Sequence, residues 1–198
     1  MTTPSTLLQL AGADLSLPSL AQSSLVLIDI QNEYRSGPLA LPNVEAAIAQ
    51  AARLLARARA AGSVIIHVAH RGKEGSLFDR TAPRGAIADA VAPLPGEAIV
   101  EKTLPNAFAG TDLQARLTAA GHKNIVLAGL MTHMCVSSTA RAALDLGWRV
   151  TIDAESCATR DLPDGKGGTL QAAMIHEVAL AELSDRFAII ARDGAALV

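Results

Sequence analysis

Six short apolar runs punctuate the chain: residues 25–30, 64–69, 98–102, 124–128, 148–153 and 187–190. The first, Leu25-Val26-Leu27-Ile28-Asp29-Ile30, is apolar almost without a break, where a strand with one wet face would alternate. That pattern predicts a strand buried on both faces of a sheet. The segments between the runs read as helices. One spans 44–60, with Asn43 as its cap, Arg53, Arg57 and Arg59 toward its end, and Gly62 as its stop. A second starts at Thr111 or Asp112 and closes at Gly121, a third follows Cys135 and ends at Gly147, and a fourth spans about 169–183. Strands that alternate with helices in this way predict a single-domain, three-layer α/β/α fold. Its six-stranded, mainly parallel sheet is wound by right-handed crossovers.

Two stretches stand outside this alternation. Residues 1–22 are weakly patterned and are expected to form an N-terminal arm, lying on the surface or on a partner subunit, ahead of a domain at 23–198. Residues 70–96 are rich in Gly, Pro and charge, with at most a short helix near 86–91. An irregular segment of that length after a strand suits a binding loop or lid.

Composition narrows the class. Half of the 198 residues are apolar but only 3% are aromatic, so Ala, Leu, Val and Ile must build the core. Seventeen basic and nineteen acidic residues leave a net charge of −2 with no basic stripe, which implies neither a nucleic acid nor an acidic membrane as partner. Two cysteines, Cys135 and Cys157, are too few for a disulfide framework. No apolar run reaches membrane-spanning length, and the first twenty residues lack the basic start of a signal peptide. A cytoplasmic protein is expected.

Three reactive side chains fall at one edge of the predicted sheet. Asp29 lies at the carboxyl end of the first strand, Lys102 at that of the third, and Cys135 just beyond the fourth, at the start of a helix. Each has an ordinary explanation: a capping carboxylate, a solvated strand-end charge and a packed small residue. Their shared edge is the stronger observation, because ligands of open α/β sheets bind there. A thiol at a helix start gains from free amides and the helix dipole. A carboxylate can take its proton, and an ammonium can hold both anions.

These residues carry a resemblance. Asp29-Ile30-Gln31, Lys102 with Asn106-Ala107-Phe108, and Gly129-x-x-Thr132-x-x-Cys135-Val136 resemble the isochorismatase-like cysteine hydrolase superfamily. The match continues through 138–143 and Gly147 to Asp153-Ala154, covering roughly residues 24–191. The resemblance implies a Rossmann-like, isochorismatase-type fold with an Asp29–Lys102–Cys135 triad, in which Asp29 is the base and Cys135 the nucleophile. It also implies a cis peptide between Leu130 and Met131, with the Met131 and Cys135 amides directed at the substrate oxygen. Gln31 and Thr132 match motif positions expected to give structural support and substrate contact. Tyr34, Phe108 and His133 are expected to line the pocket, with Leu130 and Met134 beside them.

Two features select within the superfamily. The isochorismatases, which cleave a vinyl ether, lack the cysteine present here. Nicotinamidases carry an Asp-x-His metal motif, and no Asp-x-His occurs in this chain. His67 and His70 are three apart, so even on a continuing strand they would face opposite ways and make a poor metal pair. The expectation is therefore a hydrolase of amide, carbamoyl or ureido C–N bonds, with no metal and no other cofactor, assembled as a homodimer or homotetramer. Two alternatives stay open: an ether hydrolase of the isochorismatase type, and a thiol redox or ligand sensor that pairs Cys135 with Cys157. His176 is expected to be structural, Cys157 a buried residue in a loop, Arg160 and Asp161 a local ion pair, and Lys166 a solvated charge.

Overall fold

A computed structural model describes residues 3–198. Six strands form one sheet in the order β3-β2-β1-β4-β5-β8, every neighbouring pair parallel. They are β1 Ser23–Ile28, β2 Val64–His70, β3 Ala98–Lys102, β4 Asn124–Leu130, β5 Arg149–Ala158 and β8 Ile189–Ala191. Chain order reverses between β1 and β4, which makes their carboxyl ends the switch point where such sheets open a crevice.

Both faces of β1 are buried, as its unbroken apolar run predicts. Leu25 and Leu27 join the core beneath helix α2 (Val44–Ala60). Val26 and Ile28 join the opposite core, beneath α3 (Leu113–Ala120), α4 (Ser137–Asp145) and α5 (Ala172–Arg186). Helix α2 turns Val44, Ala47, Ile48, Ala51, Leu54, Leu55 and Ala58 inward, the three-and-four spacing of one helical face. Small Ala side chains on that face let it lie close to the sheet. Arg57, on the last turn, donates to the carbonyls of Gly194 (2.7 Å) and Leu197 (3.2 Å) and so holds the C-terminal segment against the domain.

Several local features differ from the sequence expectation. Asn43 occupies the cap position of α2 but is left-handed (φ 58°) and its side chain makes no capping bond. At α3 the hydroxyl of Thr111 accepts from the Leu113 amide, while the Asp112 side chain makes no capping bond. Strand β5 runs on to Ala158, so Cys157 lies inside a strand, opposite Gly129, rather than in a loop. Residues 162–163 and 169–170 pair as a two-stranded antiparallel ladder, β6 and β7, which delays the start of α5 to Ala172. The predicted short helix near 86–91 is replaced by 3₁₀ turns at Pro83–Gly85 and Asp89–Val91. The N-terminal segment carries one helical turn, α1 (Leu7–Leu10), and its Leu7 amide donates to Asp185 of α5.

Gly129 pairs with Ile28 where β4 runs beside β1. It adopts φ 144°, and a Cβ there would lie 2.1 Å from the Ile28 carbonyl oxygen. Gly129→Ala should destabilise the fold by ~3 kcal/mol or more, read as a shift in the midpoint of urea unfolding. An unchanged midpoint would show that the two strands can separate there.

Candidate active site

The three predicted side chains converge at the switch point. Asp29 is the first residue past β1 and is left-handed (φ 51°), a conformation that costs a non-glycine residue free energy and recurs at functional sites. Its amide donates to the Val68 carbonyl, which fixes the turn against β2. Lys102 ends β3, and Cys135 sits in a π-helical turn, Thr132–Val136, that links β4 to α4. The Lys102 ammonium lies 2.6 Å from Asp29 Oδ2 and 3.3 Å from Cys135 Sγ. All three are sequestered, with exposures of 0% for Asp29, 1% for Lys102 and 4% for Cys135. The Asp29–Lys102 contact is a close ion pair, and Asp29 Oδ1 has no hydrogen-bond partner among the described residues. That leaves acceptor capacity on the carboxylate for the thiol proton.

Electrostatics separates these groups from their ordinary behaviour. Burial pushes the Asp29 carboxyl above the usual carboxylate range, and the adjacent Lys102 charge pulls back against it. Burial and then the Asp29 charge push the Cys135 thiol up to about 12, again opposed by Lys102. The helix-start argument predicts a thiol biased toward thiolate, but desolvation outweighs it here. The resting group is a thiol, and its proton must leave as it reacts.

The supporting residues come from several parts of the fold. Gln31 clasps the end of β2, its Oε1 accepting from the His70 amide (2.8 Å) and its Nε2 donating to the carbonyls of His70 (3.0 Å) and Gly85 (2.8 Å). The Leu130–Met131 peptide is cis. Thr132 is buried and its hydroxyl meets Nδ1 of His176 at 2.9 Å, so His176 braces the cysteine turn from α5. His133 Nδ1 bonds to the Thr159 hydroxyl, and its Nε2 is buried with no partner among the described residues. Tyr34 is buried in the α2-side core and stacks edge-on against Phe78 at 5.3 Å. The Asp29 and Cys135 charges raise the Tyr34 phenol further after burial, which keeps it protonated. Phe108 packs on the other face of the sheet, against the cluster that contains Cys135 and Val136. In its motif, the Ala107 amide donates to Thr139 of α4 (3.1 Å), which is a structural tie.

Sequence reasoning missed several participants. His70 extends β2 by one residue, which pairs it with Lys102 and brings its Nδ1 to 3.1 Å from the ammonium. The donor atoms of Asp29, His70 and Cys135 lie within 4.8 Å of one another. The Lys102 ammonium supplies the positive charge among them. Phe78, left-handed at φ 59°, packs on both Tyr34 and the His70 ring, and its amide is held by buried Glu33. Glu33 also pairs with Arg84, so one carboxylate pins the 70–96 loop at two points. A lone phenylalanine in a polar loop of an aromatic-poor chain was the available signal. The expected Arg160–Asp161 pair is absent among the described residues: Asp161 instead accepts from the Ala172 amide at the start of α5. Arg160 keeps a buried Nε without a partner, and its charge lowers the pKa of His133 after burial has done so. A separate groove of about 580 Å³, lined by Asn43, Glu155, Cys157 and His176 among others, lies between α2, β5 and α5 and does not include the triad.

Comparison with known proteins gives the lineage. The Isochorismatase domain family profile matches residues 23–192, and the chain belongs to that family. It is 41% identical over 177 residues to the secreted isochorismatase effector Isc1 of Verticillium dahliae, covering 89% of this chain and 90% of that one. It is 34% identical over 154 residues to maleamate amidohydrolase of Pseudomonas putida, covering 69% and 72% respectively. Among solved structures, an isochorismatase from Pseudomonas putida superposes with a TM-score of 0.95 at 42% identity, over 99% of this chain and all of that one.

Replacing Lys102 with Met would leave the Asp29 carboxylate buried without its cation. Such losses cost ~3–5 kcal/mol. The variant's Asp29 would titrate above its unfolded value of 3.8, so stability should be retained below that pH and lost as pH rises through the folded value. Urea unfolding at pH 5 and pH 8 checks this; equal losses at both would mean Asp29 is not the charge that Lys102 compensates.

Proposed function

We propose that the protein is a cysteine hydrolase that cleaves a C–N bond in a small amide, carbamoyl or ureido compound. One observation carries the reading: a carboxylate and a thiol share a single buried ammonium at the sheet's switch point. Asp29 takes the proton of Cys135 as sulfur attacks the carbonyl carbon, and Lys102 stabilises the negative charge that moves onto sulfur. The tetrahedral oxyanion is received by the amides of Met131 and Cys135, at the cis turn beyond Leu130. When the C–N bond breaks, the proton on Asp29 passes to the leaving nitrogen. Asp29 then deprotonates a water that cleaves the thioester, which frees the acid and restores the thiol. Gln31, Tyr34, Thr132 and His133 shape the space around the acyl group, and Phe108 packs against the core cluster that contains the cysteine.

The likeness to maleamate amidohydrolase supports amide cleavage. Two relatives carry the isochorismatase name, which keeps ether cleavage as the rival reaction. A nucleophile touching the ammonium has no use in acid–base ether cleavage, and this favours acyl chemistry. A redox sensor fits less well, because sensor cysteines are exposed and acidic. Both cysteines here are buried, and burial pushes each up to about 12.

Cys135→Ala should lower turnover of a responsive amide at least ~1,000-fold with the fold intact, as removal of a nucleophile does in acyl-transfer enzymes. Maleamate, ureidoacrylate and simple carbamoyl amino acids form a suitable panel, and undiminished activity in the variant would refute the mechanism. Because Asp29 must be ionised to act and burial raises it, the acid limb of kcat/KM should fall above pH 3.8, with activity lost as pH drops through it. A limb at or below that value would remove Asp29 from the role of base.

A further inference from the structure

Lys102 carries three N–H donors and no acceptor, and inside the protein each must find a partner. Asp29 Oδ2 takes one at 2.6 Å and Cys135 Sγ another at 3.3 Å. The third contact is Nδ1 of His70, at 3.1 Å. We infer that His70 is a positioning residue, whose neutral imidazole accepts the third Lys102 N–H through Nδ1 and aims the ammonium at Asp29 and Cys135. This rests on the proposed role of Cys135 and adds a fourth side chain to the triad.

The chemistry of the alternatives supports it. An apolar side chain at position 70 would leave a buried charged N–H without an acceptor. A carboxylate would accept it, but would also neutralise the cation that the other two groups need. Neutral imidazole satisfies the donor and leaves the full positive charge for the carboxylate and the sulfur. An Nδ1 that accepts requires the ring proton on Nε2. The charged or titratable groups facing the ring are Lys102 from β3, Asp29 after β1 and Cys135 from the π-helical turn. Burial first, and then the Lys102 charge, lower His70 to about 4, which keeps the ring neutral throughout the physiological range.

The ring is held in place from three sides. Gln31 binds both the amide and the carbonyl of His70, the parallel ladder pairs His70 with Lys102, and the Phe78 ring lies against the imidazole at 4.9 Å. Gln31 thus acts on the triad through the backbone of His70, and Phe78 acts on it through the ring.

Two measurements test the assignment. In the wild-type protein, ring-nitrogen NMR of His70 should show a neutral Nε2–H tautomer from pH 5.5 to 8.5. A ring that protonates near the ordinary histidine value of about 6.5 overturns it. Second, the rate of iodoacetamide alkylation of Cys135 at pH 8 should fall about tenfold or more in His70→Phe, the effect of a one-unit rise in the thiol pKa. His70→Asn, whose amide oxygen reaches the place of Nδ1, should stay within about threefold of wild type. Equal rates in His70→Phe and wild type overturn the inference while leaving Cys135 as nucleophile. If His70→Phe does not fold, the wild-type tautomer decides alone. Wild-type Cys135 that resists alkylation until the protein unfolds would instead count against the nucleophile, whatever the His70 tautomer.

Discussion

A buried ammonium is the constraint around which the rest of the structure is arranged. An isolated Lys102 charge in the protein interior would be prohibitively unfavourable, so it must be surrounded by acceptors of the right number and sign. Asp29 and Cys135 supply the sites where negative charge sits or develops, and His70 supplies a neutral one. Removing any of these changes the balance for the others, because all share one cation in a medium of low dielectric. Burial and the Asp29 charge push the Cys135 thiol up to about 12, and the shared cation opposes them.

The fold brings these groups together by topology. Strands β1, β2 and β3 are neighbours in the sheet, and β4 lies on the other side of β1. Asp29 past the end of β1 is therefore flanked by Lys102 from one side and by the cysteine turn from the other. The close approach of Gly129 to Ile28 holds the β1–β4 seam tight directly beneath the site. The 70–96 loop reaches the site through Phe78, which packs on the His70 ring, with Glu33 anchoring Phe78 and Arg84. Its left-handed Phe78 is held by that buried carboxylate, while Gln31 and Asn32 tie the same loop at Gly85 and Pro83.

Much of this was legible in the sequence, for identifiable reasons. Continuous apolar strands and glycine-closed helices have strong periodic and terminal signals, and all six strands of the sheet follow from them. The meeting of Asp29, Lys102 and Cys135 at one sheet edge was legible because strand ends are predictable even when strand lengths are not. What escaped depends on register and on loops. His70 was read as lying just past its strand, so its pairing with Lys102 was invisible. Strand β5 carries a register shift against β4 between Leu127 and Gly129, and no local pattern announces its continuation through Cys157. The extent of the sulfur's desolvation was not legible, because helix-start effects are local and readable, whereas desolvation depends on how completely the fold closes over the sulfur.

The most direct measurement is intact-protein mass spectrometry of wild-type enzyme quenched during turnover of a small amide, followed by peptide mapping. Covalent catalysis predicts an added acyl mass on the peptide carrying Cys135, lost on chase with water and not seen with Cys135→Ala. Turnover without any adduct in rapidly quenched samples, together with undiminished turnover by Cys135→Ala, would contradict it.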